Sequence, residues 1–189
     1  MSSMLTLSKS LILGVDPGIK GALSWYNPDK RRVIETVQLP ISPNRAGKAR
    51  LNLNSIALTV SRMAPRTKFA VVEDVHSMPG QGVASMFAFG QALGQLEGLI
   101  AAYFIPIHKV SPATWKSVLH LSKDKKESRT MAAALFPEHA AAFSRAKDDG
   151  VAEATLLAVY GGLYFDDAAE PALTPISLPD SSLSVVKSS

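Results

Sequence analysis

The alternation of apolar and polar positions divides this chain into short strands, then helices. Residues 11–16 and 21–26 read as two apolar strands joined by the turn Asp16-Pro17-Gly18, and Arg32 to Leu39 reads as a third. Strands joined by such short turns pair antiparallel, so these three predict a meander. Pro40 to Leu51 reads as a polar loop carrying Arg45, Lys48 and Arg50. Asn54 caps a predicted helix through Met63, with Ile56, Leu58, Val60 and Met63 as its apolar positions and Pro65 as its stop. Lys68 to Val75 supplies the next strand.

Met78-Pro-Gly-Gln-Gly is a loop that opens a helix from Val83 to Tyr103. That helix carries Ala84, Ala88, Gly90, Ala92, Gly94 and Gly98, small residues that permit close packing on the sheet or on another subunit. Ile105 to Val110 is a short strand, and Ser111 with Pro112 starts a helix. A further helix runs from the Lys123 segment through Leu135 and halts at Pro137, and the last spans Ala152 to Tyr164. Periodicity alone licenses an α/β protein with a mixed sheet. The order of a three-strand antiparallel meander, a helix, then parallel strands and helices is that of a ribonuclease-H-like fold. Residues 1–10 read as an N-terminal extension, 11–165 as one ribonuclease-H-like domain, and 166–189 as a disordered tail rich in Asp, Pro and Ser.

An apolar fraction of 47% and a charged fraction of 19% match a globular chain with a full core. No apolar run approaches the roughly 20 residues that a membrane helix needs, so no membrane partner is expected. The absence of Cys removes disulfides and thiolate metal sites from consideration. Residues 1–10 lack the apolar core of a secretory signal, and they are short for a transit segment. A cytoplasmic protein is the expectation.

Charge sharpens the picture. Residues 10–165 hold 18 Lys and Arg against 12 Asp and Glu, and five of those acids fall in three apolar surroundings. Asp16 ends an apolar strand, Glu73 ends another, and Asp148, Asp149 and Glu153 precede or begin the last helix. A carboxylate in an apolar element is costly without a partner or a metal. Three separate elements each delivering one suggest a shared divalent-cation site inside a basic body, which suits a polyanionic substrate. Duller readings exist for each residue. Asp-Pro-Gly is ordinary turn chemistry, Glu73 can bridge to a surface Lys, and Asp148 or Asp149 can simply cap the helix. Asp149 and Glu153, at i and i+4, share a helix face where like charges repel unless a cation intervenes. Hard oxygen donors suit Mg²⁺ or Mn²⁺, and the four scattered His residues offer no zinc spacing. Lys116 and the group Lys123, Lys125, Lys126 and Arg129 are available for phosphate, or form a solvated face.

Val15-Asp16-Pro17-Gly18 with Gly21-Ala22, Val72-Glu73, Thr114-Trp115-Lys116, Leu135-Phe136-Pro137 and Lys147-Asp-Asp-Gly-Val-Ala-Glu-Ala154, in this order, resemble the RuvC-type Holliday-junction resolvases. The likeness is greatest to their chloroplast and phage relatives and covers residues 11 to 164. It implies a homodimer that makes paired symmetric nicks in four-way DNA junctions with Mg²⁺ or Mn²⁺, two ions per site. By motif position, Asp16, Glu73 and Glu153 are implied metal ligands. Asp149 is favoured over Asp148 as the fourth because it shares the face of Glu153. Lys116 is implied to stabilise phosphate charge. Position 149 departs from the chloroplast-like pattern, which has His there, and with only about ten residues before the first strand the resemblance implies a bacterial or phage protein. Competing readings are a non-catalytic protein that binds branched DNA, another nuclease of the same fold, and an actin-like ATPase. The last requires a second Asp-x-Gly loop and a second domain.

Overall fold

The computed structural model describes residues 9–74 and 82–166. The expectations placed on residues 1–8, on Met78 to Gln81 and on residues 167–189 lie outside these. A five-stranded mixed sheet forms the centre, in the order β3-β2-β1-β6-β7. Its members are β1 (Leu11–Asp16), β2 (Ala22–Asn27), β3 (Arg32–Gln38), β6 (Thr67–Glu73) and β7 (Ile107–Val110). The first three form the antiparallel meander, while β6 and β7 add parallel to β1 and to each other. This is the ribonuclease-H-like arrangement expected.

Helices cover both faces, so β1 and β6 are buried on both sides and read as nearly unbroken apolar runs. On one face Leu11, Leu13, Val15, Ala70 and Val72 meet α1 (Leu53–Met63) and α2 (Val83–Ala102) through Ile56, Val60, Leu96 and Ile100. On the other, Ile12, Phe69 and Val71 meet α3 (Pro112–Val118), α4 (Lys125–Leu135) and α5 (Asp149–Tyr164). Strand residues alternate between faces. Asp16 therefore shares a face with Ile12 and Gly14, and Glu73 with Phe69 and Val71. That is the face covered by α5.

Helix α5 crosses β1 at Gly14, where a Cβ would stand 1.8 Å from the Ala154 carbonyl oxygen and 2.7 Å from the Ala158 nitrogen. Only a residue without a side chain admits this approach, and it is what carries the Asp149–Glu153 turn of α5 against the ends of β1 and β6. Thr155 Oγ1 donates to Ser24 Oγ at 2.9 Å in the same buried interface.

Several details differ from the sequence reading. Pro40 to Leu51 is a two-stranded ribbon of β4 (Ile41–Pro43) and β5 (Ala49–Leu51), because an Asn44 turn brings its two arms into pairing. Asn52 rather than Asn54 caps α1, its side chain accepting from Ser55 N at 3.2 Å. The glycines of α2 do not pack on the sheet: a Cβ on Gly90, Gly94 or Gly98 would meet nothing within 4 Å. Their face of α2 points outward, and Ala92, Leu96 and Ile100 make the inward contact. Among the described residues, no helix is long and apolar enough to cross a membrane.

Candidate active site

One row across the sheet organises the site. Gln38, Ala22 and Asp16 are partners on adjacent strands, and Glu73 pairs with Val110. Val15 pairs with Val72, which sets Asp16 and Glu73 side by side one step further along. Helix α5 lies over this row and adds Glu153, buried like Glu73. At Gly150 a Cβ would stand 2.8 Å from Asp16 Oδ2 and 2.5 Å from the Lys20 carbonyl oxygen, so the first turn of α5 abuts both the carboxylate and the β1–β2 turn.

The electrostatics of the three acids is unfavourable as a set. Burial raises the Asp16 carboxyl well above the ordinary aspartate range, and the charges of Glu73 and Glu153 raise it further. Burial likewise raises Glu73, against the counter-effect of a hydrogen bond from Trp115, and Glu153 adds to the rise. Positive charge is recruited from two helices. Lys116 Nζ, on α3, lies 2.7 Å from Glu153 Oε1, and Lys125 Nζ, on α4, lies 3.6 Å from Glu153 Oε2.

Asp149 is paired with a cation of its own. Its Oδ1 is 2.8 Å from Arg129 Nε, an ion pair whose alignment falls short of a hydrogen bond. Asp148 is turned away altogether. Both of its oxygens are held by Arg145, at 2.9 Å from Nε and 3.0 Å from Nη2, with the Arg145 backbone N–H adding a bond at 3.0 Å. These hydrogen bonds keep its carboxyl below the usual range. Asp148 therefore braces the turn before α5, and of the two neighbouring aspartates it is Asp149 that shares a helix face with Glu153. Asp74, next to Glu73, faces the other way and pairs with Lys109 at 3.0 Å.

Among the described residues, no group of three or more His, Cys, Asp or Glu side chains stands as a ready-made metal cage. Glu153 faces two ammonium groups and Glu73 faces an indole instead. The sequence reading did not anticipate those contacts. Lys125 and Arg129 were visible only as members of a basic cluster, and Trp115 only as part of a motif. Yet Trp115 is fully buried and its Nε1–H donates to Glu73 Oε1 at 2.9 Å. Adjacent residues of one short helix thus reach the two acids: Trp115 holds Glu73 and Lys116 holds Glu153. A buried Trp needs a partner for its N–H, and an apolar strand ending in Glu was the signal available in the sequence.

Replacing Trp115 by Phe keeps the ring and deletes the donor to a buried carboxylate. We expect a stability loss of about 1–3 kcal/mol at neutral pH, measured by urea denaturation. The loss should shrink at acid pH, where Glu73 is protonated in both variants. Equal stability of the two proteins at neutral pH would show that the bond holds nothing.

With this geometry in view, comparison with known proteins places the fold. No family model matches the chain, and no curated protein sequence matches it. Solved structures do. RuvC of T. thermophilus in complex with a Holliday junction substrate superposes with a TM-score of 0.53 at 18% identity, covering 82% of this chain and 94% of that one. The chain has the fold of that protein. A second Thermus thermophilus RuvC structure gives a TM-score of 0.48 at 17% identity over 81% of this chain and 95% of its own. The fowlpox virus Holliday junction resolvase gives 0.48 at 14% identity over 79% and 94%.

Proposed function

We propose that this chain is a cation-dependent endodeoxyribonuclease that resolves four-way DNA junctions by paired, symmetric nicks. The observation that carries the reading is that Asp16, Glu73 and Glu153, from β1, β6 and α5, lie on one covered face of a basic body, near enough for the charges of Glu73 and Glu153 to disfavour ionisation of Asp16. Its architecture supports the reading too, since the T. thermophilus RuvC of the same fold is described in complex with a Holliday junction substrate.

The chemistry of the donor set fits a hard divalent cation. All donors are carboxylate oxygens, and Asp16 and Glu73 are pushed toward protonation by burial and by their neighbours' charge. That is a standing demand for positive charge, met here by Lys116 and Lys125 on Glu153. Asp16, Glu73 and Glu153 would hold Mg²⁺ or Mn²⁺, with Asp149 at the margin. Up to two such ions would activate water and stabilise the leaving oxygen of a phosphodiester displacement. The chain's own groups do the rest. Trp115 fixes one oxygen of Glu73, leaving the other for a ligand. Lys116 and Lys125 sit where they can neutralise the charge of a phosphate drawn into the site. Symmetric nicking requires two copies. The outward face of α2, with Val83 and Phe87 exposed beside Gly90, Gly94 and Gly98, is the surface that would seat the second.

The lysine contacts on Glu153 also favour a second reading, a junction-binding protein whose acids serve only the architecture. A synthetic immobile junction, incubated with and without Mg²⁺ and mapped on each strand, separates the two. The nuclease reading expects paired cuts on opposed strands at symmetric positions, only with the cation. Tight binding without nicks in Mg²⁺ or Mn²⁺ supports the second reading. A lone nick, or cleavage of an RNA strand, points to another nuclease activity on this fold.

A further inference from the structure

We propose that the β4–β5 ribbon is a preformed cationic arm that lies along a duplex leading away from the active site, engaging its phosphates several base pairs from the cut. The inference rests on the nucleic-acid reading above and names a part of the substrate that the carboxylate centre does not reach.

The ribbon is placed by the sheet. Gln38 ends β3 in the same row as Ala22 and Asp16, two strands away, or about 10 Å at the usual strand spacing. Beyond it Leu39 N donates to Gly21 O at 2.9 Å, and Asn52 N donates to Pro40 O at 2.8 Å, so the base of the ribbon is fixed to the active-site end of the domain. Leu39 and Leu51 are buried beneath it. From there it projects by three paired residues and a turn, roughly another 10 Å.

Its form is set by its own hydrogen bonds. Asn44 Oδ1 accepts from Ala46 N at 3.0 Å and Lys48 N at 2.9 Å, and Asn44 N donates to Lys48 O at 2.8 Å. Gly47 takes the positive φ, +73°, that closes the turn. A solvated loop with no role would not need this rigidity.

Its charge is one-sided. No Asp or Glu occurs between Glu35 and Glu73, a stretch with six Lys and Arg. Arg62 pairs with Glu35 and Lys68 with Asp166, whereas Arg45, Lys48 and Arg50 have no acidic partner among the described residues. Arg45 and Lys48 are exposed and Arg50 half-buried. The positive surface continues toward the site. Exposed Lys147 offers its carbonyl to Gln38 Nε2 at 3.4 Å, and exposed Lys20 lies against the start of α5. A ribbon whose cations have no Asp or Glu among them matches a regular polyanion. Duplex DNA carries a charge every ~1.7 Å of axis. An acidic protein surface has no such continuity.

The test compares the wild-type full chain with the triple variant Arg45→Gln, Lys48→Gln, Arg50→Gln. Binding of a fluorescent four-way junction is measured by anisotropy in EDTA over a range of salt. A second junction carries neutral methylphosphonate linkages about three to six base pairs from the crossover, the span set by the ribbon's reach. Each lost phosphate contact lowers the log–log salt slope by about 0.9, so the variant should show a slope shallower by roughly 2–3 and at least tenfold weaker binding at low salt. The neutral linkages should weaken the wild type but leave the variant unchanged. Wild-type binding with an unaltered slope and affinity in the variant would overturn the arm while leaving the nuclease reading intact. Absence of any nucleic-acid binding by the wild type would overturn both.

Discussion

Asp16→Asn should abolish cation-dependent cleavage and, in the metal-free protein, raise the melting temperature. The two effects have one cause. Asp16 is half-buried beside Glu73 and Glu153, and its carboxyl titrates well above an unfolded aspartate because desolvation and those charges disfavour the ionised form. The folded protein therefore binds this proton up to a higher pH than the unfolded chain does. The stability that protonation contributes is fully present below the unfolded pKa and is lost as pH rises through the folded one. Above the unfolded pKa the folded state therefore bears a cost for this carboxyl that the unfolded chain does not. The amide removes it at nearly constant shape, so stability should increase and its fall with rising pH should flatten. Cleavage should drop by a factor on the order of 10³ or more, since the amide offers no anionic donor to a divalent ion. Junction binding should stay near wild type. Calorimetric scans in EDTA from mildly acidic to neutral pH, paired with single-turnover cleavage, read both effects. A destabilised but active variant would contradict the account on both counts.

Gly14→Ala should cost more stability than any conservative change at the surface. The added methyl would stand 1.8 Å from the Ala154 carbonyl oxygen, an impossible contact between two backbones. Overpacking costs typically about 1–3 kcal/mol where side chains can give way. Here the clash is with α5 itself, so the cost should exceed that range, or α5 should lift and carry Glu153 away from Asp16 and Glu73. Urea denaturation and cleavage rate should fall together. A Gly14→Ala protein as stable as wild type would mean that α5 does not pack as described.

How far the sequence spoke can be argued residue by residue. The i, i+4 spacing put Asp149 and Glu153 on one helix face, a consequence of a fixed period, whereas the register that sets Asp16 beside Glu73 comes from the pairing of β1 with β6 and exists only in the assembled sheet. The ribbon was not legible because three-residue strands with Ser, Pro, Ala and Arg carry no alternation, and its pairing depends on the Asn44 turn. The orientation of Asp148 follows from Arg145 three residues before it, a local contact that competes with capping and wins here. The outward turn of the α2 glycines was ambiguous because small residues suit both a sheet and a second helix. Least legible were Lys116, Lys125 and Trp115 against the acids. Long side chains reach across elements that only the assembled fold brings together, and a motif such as Thr-Trp-Lys does not say what its indole touches.

The central claim is that Asp16, Glu73 and Glu153 form one cation-binding centre. Binding of Mn²⁺ to the protein in the absence of DNA, followed by electron paramagnetic resonance, tests it most directly. The account predicts uptake by the wild type that is lost in both Asp16→Asn and Glu73→Gln and retained in Asp148→Asn. Uptake that is equal in all four proteins would contradict it.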